Sequence, residues 1–177
     1  MRIAVVTISD RASRGQYEDL SGPSIEAWLR ETVVTPFEIV RRIVPDGIAP
    51  VRDALVALCD EEHADLILTT GGTGPAPRDE TPEAMRAVVT RELPGFGEQL
   101  RRASLDQTPT AILSRQMAGT RGRTLIINLP GKPSSIRFSL DAVFAAVPYC
   151  LDLIGAGWMD TDPARVKAFR PAPSSSG

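Results

Sequence analysis

Three stretches of this chain are almost continuously apolar and rich in β-branched residues: IAVVTI at 3–8, DLILTT at 65–70 and TLIINL at 124–129. Such runs suit strands covered on both faces, as in a parallel sheet. FEIVRRIV at 37–44 reads as a further strand, ended by Pro45-Asp46-Gly47. Helical patterns lie between them. Pro23, preceded by Ser21 and Gly22, marks a helix start, and Ile25, Trp28 and Leu29 supply its apolar stripe. A second helix runs from about Pro50, with Val51, Ala54, Leu55 and Leu58 on its buried face. A third opens at Thr81-Pro82-Glu83, with Thr81 expected as N-cap and Pro82 as first helical residue. Residues 94–105 read as a break and a short helix, and 108–119 stay open between strand and helix. The last pattern carries Ile136, Leu140, Val143 and Phe144 on one side, and Pro148 should break or kink it. Strands alternating with helices predict an α/β fold: a three-layer, doubly wound, mostly parallel sheet in a single domain over 1–157. The polar segment 158–177, ending PAPSSSG, is expected to be flexible.

Composition narrows the partners. A chain of 177 residues favours one domain with a core of its own. The net charge of −2 argues against a general affinity for nucleic acid or an anionic membrane. No stretch approaches the ~20 apolar residues that span a bilayer. The N-terminal apolar run reaches Asp10 too early for a signal sequence, so a cytoplasmic location is expected. Cys59 and Cys150 fit no metal or redox spacing and read as free, packed thiols.

In an open α/β sheet, ligands sit beyond the carboxyl ends of the strands. Pro45-Asp46-Gly47, the glycine loop GGTG at 71–74 and NLPGKPSS at 128–135 each follow an expected strand. Parallel strands would gather all three along one sheet edge. Glycines let a ligand approach the main chain, and successive N–H groups form an anion-binding concavity. Thr69, Thr70 and Thr73 add hydroxyls. A strand-to-helix turn can also hold glycines for shape alone, so locally the loop reads equally as phosphate cradle or plain turn. Asp46 and Asp79 on the same rim suggest Mg²⁺, which takes one or two carboxylates plus phosphate oxygens. The plainer alternatives are a turn residue for Asp46 and a helix cap for Asp79. Gly131, Lys132 and Ser134 sit at a helix start, where backbone donors favour anions. Asp10, flanked by Ser9 and Arg11, either completes the site or pairs with an arginine. His63, the sole histidine, reads as a surface residue, and hydrolytic triads recede.

TISDR (7–11), SGP (21–23), PD (45–46), TTGGTGPAPRD (69–79), TPEA (81–84), PGFGEQLR (94–101), AILSRQMAG (111–119) and NLPGKPSS (128–135) occur together and in order. In this combination the chain resembles the molybdopterin adenylyltransferases of the MogA/MoaB type, related to the G domain of gephyrin. The resemblance covers about Arg2 to Ile154 and matches the free-standing form, without a molybdenum-insertion domain. It implies a homotrimer that transfers AMP from ATP to the terminal phosphate of molybdopterin with Mg²⁺, releasing pyrophosphate. The product would pass to a molybdenum-insertion enzyme. Residue by residue, it implies catalytic and metal-binding roles for Asp46 and Asp79. It places Gly71, Gly72, Thr73 and Gly74 at the pterin and phosphate site, and Asn128, Pro130, Gly131, Lys132 and Ser134 in a second binding loop. Glu98 and Ser114 would line the pocket. Two other readings stand beside this one: a family member that binds molybdopterin without catalysis, or serves as a scaffold, and another nucleotide-dependent enzyme on the same fold.

Overall fold

A computed structural model describes residues 1–171. The elements follow the expected alternation: β1 (Arg2–Ile8), α1 (Asp10–Ser13), α2 (Ser21–Thr32), β2 (Glu38–Val44), α3 (Ile48–Asp60), β3 (Leu66–Thr70) and α4 (Thr81–Arg86). They continue with β4 (Arg91–Glu92), α5 (Pro94–Leu105), a 3-10 turn at Pro109–Leu113, β5 (Ala118–Arg121), β6 (Thr124–Leu129), α6 (Pro133–Val143) and α7 (Val147–Ile154). The six strands form one sheet in the order β2-β1-β3-β6-β5-β4. β2, β1, β3 and β6 run parallel, while β5 is antiparallel to both of its neighbours. The strand order reverses beside β1, where β2 lies on one side and β3 on the other, so the crossing point falls between β1 and β3.

Side chains alternate across each strand, which sorts the apolar runs into two cores. Ile3, Val5, Leu66, Leu68, Leu125 and Ile127 pack against α2 and α6 through Ile25, Trp28, Leu29, Ile136 and Leu140. Ala4, Val6, Ile8, Ile67 and Ile126 face the other way, onto Val51, Leu55 and Leu58 of α3 and Ala84 and Met85 of α4. Burial on both faces explains why these strands read as continuous apolar runs. Trp28 meets Phe144 edge to face at 4.6 Å, and its indole N–H donates to Asp141 Oδ1 at 2.8 Å. That bond satisfies the polar edge of a fully buried ring.

Several local expectations change. Residues 94–105 form a full three-turn helix, and the ambiguous 108–119 divides into the 3-10 turn and strand β5. Pro148 does interrupt the last helical pattern: α6 ends at Val143, a 3-10 turn covers Phe144–Ala146, and α7 restarts with Pro148 in its first turn. Glu80, not Thr81, occupies the N-cap of α4, and the Thr81 hydroxyl donates to the Gly71 carbonyl instead. The segment after Gly157 is not a loose tail as far as Pro171. Thr161 bridges Val33, Met159 is fully buried, and Arg170 pairs with Asp152 at 2.5 Å while its guanidinium lies 3.9 Å from the Trp158 ring centre. Residues 172–177, the remainder of the expected flexible segment, lie outside the described residues.

Candidate active site

The carboxyl ends of β1, β2, β3 and β6 enclose a cleft of about 290 Å³ at the crossing point of the sheet. Asp10, Asp46, Gly71, Gly72, Asp79 and Gly131 all line it. Six of the expected site residues, from four different loops, therefore meet in one place, as the parallel register requires.

The glycine loop is shaped by contacts only glycine allows. Gly71 has φ +104°, and a Cβ there would overlap the Ile8 carbonyl oxygen. Gly72 has φ +62°, and a Cβ would overlap the Thr81 hydroxyl. The loop carbonyls all have donors. Gly71 O accepts from Thr81 Oγ1 at 2.9 Å and Gly72 O from the Thr81 N–H at 3.1 Å. Thr73 O accepts from the Arg115 N–H at 2.8 Å, and Gly74 O from Arg115 Nε at 2.9 Å. Among the described residues, the N–H groups of Gly71, Gly72, Thr73 and Gly74 donate to no protein acceptor. With its carbonyls tied back and its donors free, the loop has the polarity of an anion cradle.

The second loop repeats this arrangement. Thr70 Oγ1 donates to Pro130 O at 2.7 Å, and Ser21 Oγ donates to Gly131 O at 3.0 Å. A Cβ on Gly131 would stand 3.2 Å from Gly71 Cα, so the two loops touch through their glycines. Pro133 of the first turn of α6 also lines the cleft, which points the positive end of that helix at it.

The carboxylates divide their oxygens between building the loops and facing the cleft. Asp46 Oδ2 accepts from the Asp10 N–H at 2.9 Å, and Asp10 Oδ1 accepts from the Asp46 N–H at 3.3 Å. This exchange ties the loops after β1 and β2 together. Asp46 Oδ1 lies about 3.7 Å from where a Gly72 Cβ would stand, and accepts no hydrogen bond among the described residues. Asp79 Oδ2 accepts from the Ala76 N–H at 3.2 Å, so it caps its own loop rather than α4, and Oδ1 again accepts none among the described residues. Asp10 Oδ2 lies 3.7 Å from Arg14. Asp10 therefore both joins the cleft and pairs with an arginine. Among the described residues no three His, Cys, Asp or Glu side chains form a ready metal cage. Two carboxylates with one open oxygen each could hold Mg²⁺, an ion that completes its shell with water and phosphate oxygens.

The other expected residues fall differently. Thr73 and Asn128 are buried beside the cleft; Asn128 Nδ2 donates to Thr69 Oγ1 at 2.9 Å, and Oδ1 has no partner among the described residues. Lys132 and Ser134 are exposed at the start of α6. Ser114 Oγ donates to Gln116 Oε1 at 2.7 Å and stays outside the cleft lining. Glu98 lies exposed on α5, also outside it. The structure thus does not bring Glu98 or Ser114 to the cleft within one chain.

Three residues not expected among those of the site hold it in place. Asp19, 5% exposed in its side chain, accepts from Thr7 Oγ1 at 2.9 Å, the Gly22 N–H at 2.9 Å and Arg41 at 2.8 Å. It caps α2 where that helix meets the cleft. Thr81 secures the glycine loop. Arg115 reaches Gly74 O, Asp79 O and Glu83, the last at 2.5 Å. Its hydrogen bonds hold the Glu83 carboxyl below the ordinary glutamate range. The one sequence signal for Arg115 is its place in AILSRQMAG, beside Ser114.

Comparison with known proteins identifies the family. Residues 4–149 match the family model described as a probable molybdopterin binding domain. A molybdopterin adenylyltransferase of Helicobacter pylori strain J99 is 53% identical over 171 residues, covering 97% of each chain. The enzyme of the same description from Escherichia coli K12 is 49% identical over 183 residues, covering 97% of this chain and 94% of its own. Among solved structures, the molybdopterin biosynthesis enzyme MoaB of Thermus thermophilus superposes with a TM-score of 0.80 at 45% identity, over 89% of this chain and 98% of its own. Matched along nearly its whole length in sequence and in fold, this chain belongs to the molybdopterin adenylyltransferase family.

Proposed function

We propose that this chain transfers AMP from ATP to the terminal phosphate of molybdopterin, giving adenylyl-molybdopterin and pyrophosphate. The observation that carries this reading is the pair of touching loops whose carbonyls are tied back, whose N–H groups at Gly71–Gly74, Gly131 and Lys132 donate to no acceptor among the described residues, and which share a cleft with Asp46 and Asp79. A site for two polyanions needs such donors. The relatives' description as adenylyltransferases supports the reaction class.

The nucleophile is a phosphate oxygen of molybdopterin, which already carries charge and needs little help from a base. It forms a bond to the α-phosphorus of ATP as the bond to the bridging oxygen of the pyrophosphate breaks. Catalysis is then positioning and electrostatic stabilisation. Gly71, Gly72, Thr73 and Gly74 hold the anionic substrate through backbone donors. Gly131, Lys132 and Ser134 oppose them at the start of α6, with Pro130 and Asn128 supporting that loop. Asp46 and Asp79 would hold Mg²⁺, which when bound supplies positive charge where the leaving pyrophosphate gathers negative charge. Asp10 positions Asp46 through the exchange of backbone N–H to carboxylate bonds. Glu98 and Ser114 lie outside this cleft, so any contact they make with substrate would come from another copy or a moved loop.

The same reading carries a homotrimer, a cytoplasmic location and hand-over of the product to a molybdenum-insertion enzyme. Cys59 and Cys150 as free thiols support a reducing compartment. No helix among the described residues is long and apolar enough to cross a membrane.

The test is an incubation with molybdopterin, ATP and Mg²⁺. Pyrophosphate and adenylyl-molybdopterin should appear together, and only when the pterin is present. Asp79→Ala should lower turnover ~10²-fold or more while molybdopterin still binds, as expected for a group acting in the transition state. Binding without pyrophosphate release would instead identify a non-catalytic family member. Release without pterin would identify a different nucleotide-dependent enzyme.

A further inference from the structure

The segment joining Gly74 to Asp79 is poorly equipped to hold its own shape. Pro75 and Pro77 have no N–H to donate. The bonds within it are Asp79 N–H to Ala76 O at 2.8 Å, Ala76 N–H to Asp79 Oδ2 at 3.2 Å and Glu80 N–H to Arg78 O at 3.0 Å. These fix Asp79 to its own turn but not to the sheet. One residue distant in sequence ties the segment to its surroundings. Arg115, 41 positions from Gly74, donates its backbone N–H to Thr73 O, its Nε to Gly74 O and its Nη2 to Asp79 O. The remaining donors make a two-point contact with Glu83 on α4, at 2.5 and 3.2 Å.

We propose that Arg115 is the positioning residue that presents the Asp79 carboxylate to the reacting phosphates, by clamping both ends of the 74–79 segment to α4. This rests on the adenylyl-transfer reading above. A planar guanidinium with a rigid fork of donors can reach a main-chain carbonyl at each end of the segment and a carboxylate at once. A lysine ammonium offers one point of contact and cannot reproduce that geometry. The Arg115 side chain is 36% exposed, so its removal leaves no core cavity. The same contact holds the Glu83 carboxyl below the ordinary glutamate range. Among the described residues Arg115 hydrogen-bonds to no lining residue of the cleft except Asp79, and to that one through its carbonyl. Its effect on turnover therefore has to pass through the loop.

The experiment compares Arg115→Ala, Arg115→Lys, Asp79→Ala and the double variant in the complete protein. R115A should lower kcat ~10- to 100-fold with KM for molybdopterin within about threefold, and R115K should recover only part of the loss. The double variant should turn over like D79A alone, because both changes remove one unit. Deuterium uptake over residues 71–83 should rise ~10-fold in R115A while the strand peptides keep their protection. If R115A fails to fold, the R115K comparison and its double with D79A carry the same test. Parent-like kcat in R115A, or an equal further loss on the D79A background, would overturn the proposal. If the parent protein shows no adenylyl transfer, the reaction reading falls, and the exchange data decide the clamp alone: unchanged uptake over 71–83 defeats it.

Discussion

The two loops proposed to receive the phosphates are held at the cleft by different means. The glycine loop after β3 is gripped from outside: two donors come from Thr81 and the rest from Arg115. The loop after β6 is held by two hydroxyls, from Thr70 and Ser21. Both devices occupy the carbonyls and leave the N–H groups for a ligand. They differ in what they fix. The first also locates a carboxylate, Asp79, which in the proposed reaction has to stand at one distance from the reacting atoms. The second locates donors at a helix start, where the field of the helix tolerates small displacements. A catalytic group calls for the stiffer support.

The sharpest way to break this contrast is a methyl group in each loop. Gly71→Ala meets both a positive φ and the Ile8 carbonyl oxygen, a main-chain atom at the end of β1. It should cost about 3 kcal/mol or more of stability in chemical denaturation. Gly131→Ala has an ordinary φ and a tight but tolerable contact at 3.2 Å, so it should cost about 1 kcal/mol. Equal losses would mean that the two loops are equally rigid. The hydroxyls give a finer comparison. Thr81→Val and Thr70→Val each strip one donor from a loop carbonyl and should cost about 1–2 kcal/mol. T81V should lower kcat more than T70V, because only the glycine loop carries Asp79. The reverse order in steady-state kinetics would contradict the assignment of stiffness.

How much of this is legible in the sequence follows from the range of each interaction. Continuous apolar runs and their glycine-bearing ends are local signals, so β1, β3, β6 and the convergence of their loops can be read from the chain alone. Thr81 is readable as a residue at a helix start but not as a loop anchor, because its hydroxyl donates backward to Gly71 rather than accepting from its own helix. Arg115 cannot be read as a clamp at all, since every carbonyl it binds lies far away in sequence. The segment after Gly157 misleads for a related reason. Single anchors such as Met159 and Val166 in a polar stretch have no period to recognise. Glu98 and Ser114 rest on resemblance alone, and the cleft of one chain does not include them.

The rim at the opposite end of the strands provides controls. Cys59 is buried, and that burial pushes its thiol up to about 11. It should resist thiol reagents at pH 8 in the folded protein and react on unfolding; rapid labelling without denaturant would contradict the packing. The smallest effect belongs to His63, whose φ of 53° is strained for a residue with a side chain. His63→Gly should raise stability by about 0.5 kcal/mol, measured in urea, with turnover unchanged. A change in turnover would show that the two rims are coupled.

The central claim is that free backbone donors of two touching loops receive the phosphates. Amide-resolved NMR during titration with molybdopterin tests it most directly. The amide protons of Gly71, Gly72, Thr73, Gly74 and Gly131 should move downfield together as hydrogen bonds to phosphate form. Shifts confined to other parts of the molecule, with these five amides unmoved at saturation, would contradict the account.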